Sequence, residues 1–210
     1  MAERYQQQTS GAMTYPKKGT LNRIIFKMPL IGWRLGLGPL MSHQALGGSK
    51  MLVLTSWGRK SQLPRHTMLS YVSVGGRVYV CSGWGAKSDW TKNITANPSV
   101  TVQAGRKTYT ANARRVQDLN EFTQVIREMF ATGGDTHFAA WLESFGIDYD
   151  PQDMIDKRER LYIVALDPSQ ESGPPPLGVN LTWVWGAMVF LAAGLWLFMK
   201  RKEGDGRVNS

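Results

Sequence analysis

The sequence predicts a single, mainly β domain, an antiparallel β-barrel with a few helices, followed by a transmembrane helix. A chain of 210 residues has room for one domain with a substantial core and for tails. Six short runs rich in β-forming residues, with turn signals between them, indicate the barrel. A long uncharged run near the C-terminal end indicates the transmembrane helix.

The strand-like runs cover residues 51–57, 67–74, 77–82, 100–103, 108–116 and 160–166. Gly75-Gly76 separates the second run from the third, and Gly105-Arg106 separates the fourth from the fifth. Glycine at these positions predicts hairpin turns because it adopts positive φ without steric cost. Strands joined mostly by hairpins favour a barrel over a doubly wound parallel sheet.

Three helices are predicted between the strands. The first covers residues 89–96 and ends before Asn97-Pro98, because the residue before a proline disfavours the helical conformation. The second covers residues 118–130, where Asp118 and Glu121 have the spacing of a capping box. The third covers residues 135–145.

The segments that flank the barrel have different characters. Residues 1–19 are polar, basic and without pattern, which predicts disorder. Residues 21–41 mix apolar and basic side chains with proline and glycine, which predicts a broken amphipathic helix that packs on the domain or lies on a membrane surface. The domain is expected over residues 20–167, and a stiff, proline-rich linker over residues 168–180.

Residues 181–199 are the predicted membrane anchor. The run carries no charge, is about as long as a hydrocarbon core is thick, and has tryptophans near both ends, namely Trp183, Trp185 and Trp196. A basic triplet follows at 200–202 and opens the charged tail 200–210, which taken alone would place the barrel outside the cell. No export signal is evident, so the barrel is expected on the cytoplasmic face of the membrane. A buried core helix is the alternative reading.

The formal net charge of +9 predicts an anionic partner. Nucleic acid, anionic lipid and a phosphorylated cofactor all satisfy that charge, but nucleic acid ranks last because no recognised binding module is present. Cys81 is the one cysteine of the chain, which excludes an internal disulfide and favours a small core residue. The three histidines lack the spacing of metal ligands, so no metal site is expected.

The strongest candidate site is the loop GRKSQLPR at residues 58–65, directly after the first strand-like run. It brings together three cations, Arg59, Lys60 and Arg65, with the hydroxyl of Ser61. Guanidinium and ammonium groups bind phosphate oxygens, so the loop predicts an anion site. A solvated basic loop explains the same residues without a ligand. The spacing is not that of a Walker loop.

The second candidate is SGWGAKSDWTKN at residues 82–93. Glycines after a strand, followed by a helix N-terminus, present backbone N–H donors. Trp84 and Trp90 offer flat faces to a planar ring, although Trp90 fits equally well as a core residue.

Together these blocks resemble the deazaflavin-dependent nitroreductase and quinone reductase family. The resemblance runs from about residue 30 to 168 and depends most on LVLTSWGRKSQLPRHTMLSYV and SGWGAKSDWTKNITANPSVTVQ, with ARRV later. It implies a split β-barrel that binds coenzyme F-420, a deazaflavin with a phosphate and an anionic glutamate tail. Family members reduce nitroaromatics, quinones or activated double bonds, and some associate with membranes. Gln62-Leu63 and Thr91 depart from the family pattern.

The resemblance also implies roles for individual residues. The phosphate and tail would be bound by Arg59, Lys60, Ser61 and Arg65. The adjoining part of the cofactor groove would be lined by His66, Thr67, Met68 and Leu69. The ring would be approached by Ser82, Gly83 and Trp84, and the site closed by Asp89, Trp90 and Asn93. No catalytic acid or base is assigned.

A further set of aromatic residues follows in the predicted third helix. By spacing, one helix face carries Phe138, Trp141 and Phe145. These side chains either wall a substrate pocket or pack in the core.

The function expected from the resemblance is a membrane-anchored oxidoreductase that transfers a hydride from the reduced deazaflavin to a small-molecule electron acceptor. Two alternatives use the same residues: an FMN-binding split barrel, and a non-catalytic cofactor- or lipid-binding module held at the membrane. A homodimer is an expectation by analogy with related barrels.

Overall fold

The computed structural model describes residues 28–41, 50–132, 139, 142–143 and 145–205. The disorder predicted for residues 1–19 and most of the helix predicted for residues 135–145 lie outside this part. Within it, the strands are β1 Met51–Trp57, β2 Pro64–Val74, β3 Arg77–Cys81, β4 Ser99–Ala104, β5 Lys107–Arg115 and β6 Ile163–Pro168. These six described strands confirm the predicted antiparallel barrel.

The sheet closes on itself in the order β1-β2-β3-β6-β5-β4, with β4 paired back to β1. Every pairing is antiparallel, and Thr55 in β1 lies opposite His66 in β2 and Thr101 in β4. The glycines of the two predicted hairpins have positive φ, 57° at Gly75, 80° at Gly76 and 61° at Gly105. Closure leaves no unpaired sheet edge between the described strands.

Alternation along the strands divides the side chains between the barrel interior and its outer surface. The interior is filled by apolar side chains from the strands, with Trp90 and Ile94 contributed by the helix α3 (Asp89–Ala96). The buried strand members of this interior cluster are Leu52, Leu54, Val80, Val100, Val102, Ala111, Ala113, Val164 and Leu166.

A second apolar layer covers one outer side of the barrel. It is built from α4 (Leu119–Thr132), α5 (Pro151–Asp156) and the outward side chains of β3 and β6. The backbone N–H of Glu121 donates to Asp118 Oδ1 at 2.8 Å, which confirms the predicted start of α4. Cys81 packs against this layer, and burial raises the pKa of its thiol to about 12. It is therefore a packed, un-ionised thiol at neutral pH.

The N-terminal segment is a broken helix, as predicted, made of α1 (Met28–Gly32), a π-helical turn (Trp33–Leu37) and α2 (Gly38–Met41). The break falls at Gly36, where φ is 86°. Trp33 is 3% exposed and packs against Val53 and Leu177, so this segment covers a side of the barrel.

Residues 169–177, predicted as part of a linker, run along the outer face of β4 and form what we call the strap. Alternate side chains of β4 bind its carbonyl groups: Ser99 Oγ donates to Ser172 O at 3.0 Å, and Thr101 Oγ1 donates to Pro174 O. Gln103 makes two bonds, because its Nε2 donates to Leu177 O at 3.1 Å and its Oε1 accepts from Leu177 N at 2.8 Å. The strap is thus an integral layer of the barrel.

Replacing Gln103 by Leu is expected to lower the free energy of unfolding by about 2–3 kcal/mol, since it leaves the buried N–H and C=O of Leu177 without their partners. Urea denaturation followed by circular dichroism measures the effect. Gln124→Leu, at an exposed position on α4, is the matched control. Equal midpoints for the two variants would contradict the role given to Gln103.

The strap leads into α6 (Trp183–Asp205), whose start is fixed to the N-terminal segment. Leu181 N donates to Arg34 O at 3.0 Å, and Trp185 Nε1 donates to Leu35 O at 2.9 Å. Across the described residues, no helix has both the length and the apolar character required to cross a bilayer. The transmembrane span predicted over residues 181–199 is therefore not supported.

Candidate functional site: the β1–β2 loop and the start of α3

The loop between β1 and β2 closes on itself through its backbone. Gly58 N donates to Leu63 O at 2.9 Å, and Gln62 N donates to Gly58 O at 2.7 Å. Gln62 has a φ of 53°, which lies in the left-handed region. At this position the family pattern has a glycine. Ser61 Oγ lies inside the turn and accepts from Arg65 NH2 at 3.0 Å. The loop is therefore compact and has a defined shape.

Gly58 lies where this compact loop has no space for a side chain. A Cβ there would lie 2.6 Å from Ser61 Oγ and 3.2 Å from Leu63 O. We expect Gly58→Ala to lower the free energy of unfolding by about 1–2 kcal/mol, because either the hydroxyl or the loop backbone must move. Gly178→Ala, where the Cβ would meet no atom within 4 Å, is the matched control for a thermal melt. A melt of Gly58→Ala that overlays the control would show that the loop accommodates the methyl group.

Arg59 connects this loop to the second candidate block. Its backbone N–H and its NH1 both donate to Asn93 Oδ1, each at 3.2 Å. Its NH2 lies 3.3 Å from Asp89 Oδ1, and its NH1 donates to Asp89 O at 3.5 Å. Lys60 and Arg65, by contrast, are exposed and form no ion pair with any described carboxylate. Two cations of the loop are thus exposed, and one of them, Arg65, donates to the Ser61 hydroxyl.

The turn between β3 and α3 is fixed by buried hydroxyl groups. Ser82 Oγ bonds Ser88 Oγ at 2.5 Å and donates to Gly85 O at 2.9 Å. Thr91 Oγ1 donates to Ser88 O at 2.9 Å. Ser82 is only 1% exposed, so its hydroxyl holds the turn, while Gly83 and Trp84 remain partly exposed at its surface.

Residues 40–139 match the family described as F420H(2)-dependent quinone reductase. Both sequence blocks fall inside this match, which confirms the resemblance inferred from them. The family is named for a quinone reductase that uses reduced F-420, so the match agrees with the predicted enzyme class and cofactor.

Individual proteins of known sequence or structure are also similar to this chain. One, an F420H(2)-dependent quinone reductase from Mycobacterium tuberculosis (strain H37Rv), is 28% identical over 100 residues, which cover 44% of this chain and 67% of the relative. Among solved structures, an F420-H2 dependent reductase (FDR-A) has 20% identity and a TM-score of 0.42, over 56% of this chain and 93% of the other. A conserved hypothetical protein from Mycobacterium tuberculosis has 16% identity and a TM-score of 0.39, over 60% and 76%.

The other predicted site residues fall into two groups. Trp90 is 7% exposed and packs in the interior cluster, which is the core position that the sequence left open. His66 to Leu69 alternate along β2. The His66 ring bonds Thr55 Oγ1 at 2.9 Å, and Met68 packs toward Trp33, whereas Leu69 packs against the interior cluster. Consecutive residues of this run therefore do not line one groove.

His66 is a titratable side chain that follows the loop directly in β2. Burial lowers its pKa, and the positive charge of Arg34 in the N-terminal segment lowers it further. The imidazole is therefore neutral at pH 7, and the N-terminal segment acts directly on this side of the barrel. The sequence predicted that this segment packs on the domain or on a membrane, but not that Arg34 lies near His66.

The predicted substrate-pocket aromatics are only partly described. Phe138 and Trp141 lie outside the described residues, and Phe145 is 3% exposed in the layer beneath α4. Phe145 thus has the packing role. Among the described residues, no cluster of three or more His, Cys, Asp or Glu could hold a metal ion.

Proposed function

We propose that this chain is an oxidoreductase that binds reduced coenzyme F-420 and reduces a small-molecule acceptor of the quinone type. The observation that carries the proposal is the compact β1–β2 loop, with Lys60, Ser61 and Arg65 exposed at its surface, within the segment that matches the reductase family. A nitroaromatic or an activated double bond is an alternative acceptor.

The loop fits an anionic tail in charge and in shape. Lys60 and Arg65 supply ammonium and guanidinium donors, and the Ser61 hydroxyl lies between the loop backbone and Arg65. Gly58 leaves no room for a side chain, which keeps the turn tight beneath these donors. In this proposal the three side chains bind the phosphate and the glutamate tail.

The surface of the β3–α3 turn is proposed to receive the ring. Gly83 and Trp84 are partly exposed there, and a tryptophan face next to a glycine backbone suits a planar heterocycle. When bound, reduced F-420 supplies the hydride. The residues of this chain contribute binding, orientation and exclusion of water, which agrees with the absence of an assigned acid or base.

Side-by-side titration of the purified chain with F-420 and FMN, followed by fluorescence, tests the cofactor. Oxidation of reduced F-420 in the presence of menadione or a nitroaromatic then tests the reaction. We expect F-420 to bind more tightly than FMN and menadione to sustain turnover. Preferential FMN binding, or F-420 binding without turnover on any acceptor, would contradict the proposal.

We further propose that α6 attaches the barrel to the cytoplasmic face of a membrane. Its exposed apolar side chains lie on all sides of the helix, with Val189 at 68%, Phe190 at 81% and Leu191 at 74% exposed. Apolar side chains exposed on all sides of a helical stretch are more stable in apolar surroundings than in water. The basic triplet at 200–202 is suited to anionic headgroups.

Flotation of the full chain with vesicles of anionic phospholipid tests this attachment. We expect the parent chain to float and the variant Phe190→Glu with Leu191→Glu to remain in the dense fraction. Flotation of both proteins to the same extent would contradict it.

A further inference from the structure

Arg59 is bonded to residues of α3, outside its own loop, whereas the guanidinium of Arg65 donates to Ser61 within the loop. Asn93 Oδ1 accepts from both its backbone N–H and its NH1, at 3.2 Å each, and Asp89 accepts from its guanidinium at 3.3 and 3.5 Å. The Arg59 side chain is 30% exposed. To grip a ligand with both terminal nitrogens, it would have to give up these contacts with Asn93 and Asp89.

Asn93 is suited to hold such a contact because it lies on a rigid element. It is 4% exposed on α3, whose start is fixed by the bonds of Ser82, Ser88 and Thr91. A buried amide oxygen with two donors from one residue defines both the backbone position and the side-chain direction of that residue. Arg59 and Asn93 therefore join the β1–β2 loop to α3, and we call this pair the clamp.

We propose that the clamp positions the loop, and that Lys60 and Arg65, rather than Arg59, bind the anionic part of the cofactor. This rests on the proposed function. Arg59 and Asn93 are then positioning residues, because they act on the ligand only by holding Lys60, Ser61 and Arg65 at a fixed distance from the β3–α3 turn. The sequence alone assigns the three cations of the loop the same role, whereas this proposal assigns positioning to Arg59 and ligand binding to Lys60 and Arg65.

The dependence of F-420 affinity on salt distinguishes a positioning residue from a direct ligand, because charge–charge contacts weaken as ionic strength rises. We expect Lys60→Gln to flatten that dependence. Asn93→Leu and Arg59→Gln are each expected to weaken F-420 binding by about tenfold, because each loses one well-formed hydrogen bond. Both variants are expected to keep the salt dependence of the parent chain. Asn93→Asp, which keeps an acceptor oxygen for Arg59, is expected to recover most of the affinity.

Amide hydrogen exchange without any ligand tests the clamp independently of the function. We expect Asn93→Leu to speed exchange at residues 58–63 at least tenfold while leaving the β4 amides unchanged. If Asn93→Leu fails to fold, Arg59→Gln serves the same measurement. Unchanged exchange would overturn the clamp, as would an Arg59→Gln variant that flattens the salt dependence as Lys60→Gln does. Normal clamp behaviour in a chain that does not bind F-420 would instead overturn the proposed function.

Discussion

Replacing Lys60 and Arg65 together by glutamine is expected to weaken F-420 binding roughly hundredfold. Each exposed cation contributes about one charge-assisted hydrogen bond to the anionic tail, and such bonds are worth about 1.5 kcal/mol or more. Neither side chain is engaged in an ion pair with a described carboxylate, so little has to be broken before the ligand is bound. Fluorescence titration at two salt concentrations measures the change.

The matched control removes the same charge from the other end of the barrel. The double variant Arg106→Gln with Lys107→Gln removes two exposed cations at the β4–β5 hairpin. Because β1 and β4 are antiparallel, this hairpin lies at the end of the barrel away from the β1–β2 loop. We expect this control to keep the parent affinity within about twofold, since distant exposed charges are screened. Equal losses in the two double variants would show that the net charge of the domain, rather than the loop, attracts the ligand.

Trp90→Ala is expected to lower the free energy of unfolding by about 3–5 kcal/mol. The indole is 7% exposed and packs in the interior cluster with side chains contributed by the barrel strands, so its removal leaves a cavity that the closed sheet cannot readily fill. A loss of this size corresponds to a fall of about 10 °C in Tm. Urea and thermal denaturation of the purified variant measure it.

Trp183→Ala serves as the control, because that tryptophan is 67% exposed at the start of α6. Its replacement should change stability by less than about 0.5 kcal/mol. The pair of variants also separates the two readings of Trp90 that the sequence left open. A Trp90→Ala variant with the parent Tm and a lost affinity for F-420 would mean that the indole contacts the ligand instead of filling the core.

The parts of the fold that the sequence predicted well are those determined by local chemistry. The bounds of β1 and of α3 agree with the prediction. A run of β-forming residues specifies a strand locally, and Asn97-Pro98 ends the helix at the neighbouring residue. The hairpins at Gly75-Gly76 and Gly105 follow from the positive φ of glycine. By contrast, the pairing of β3 with β6 joins segments far apart in the chain, and no local signal specifies it.

The strap shows why composition misled the prediction. A proline-rich, polar segment is typical of a spacer, yet the outward side chains of β4 bind its carbonyl groups. The contact between Gln103 and Leu177 spans 74 positions, and it depends on the register that brings Ser99, Thr101 and Gln103 to one face. Polar residues at alternate positions of a strand were the available signal, but they fit a solvated face equally well.

The candidate site divides in the same way. The loop and the β3–α3 turn were each found from glycine, cation and aromatic spacing, but their contact through Arg59 and Asn93 joins residues 34 positions apart. The family resemblance also implied one groove for His66 through Leu69, whereas the two-residue period of β2 sends alternate side chains to opposite faces. Sequence patterns therefore predicted which segments form the candidate site, and the sheet register and the contacts of α3 specify how their side chains are arranged.

A crystal structure of the full chain with F-420 bound tests the central claim most directly. We predict that oxygen atoms of the phosphate or glutamate tail lie about 2.7–3.2 Å from Lys60 Nζ, Ser61 Oγ or the Arg65 guanidinium, with Arg59 still bonded to Asn93. A tail located away from the β1–β2 loop, with those three side chains in solvent, would contradict the account.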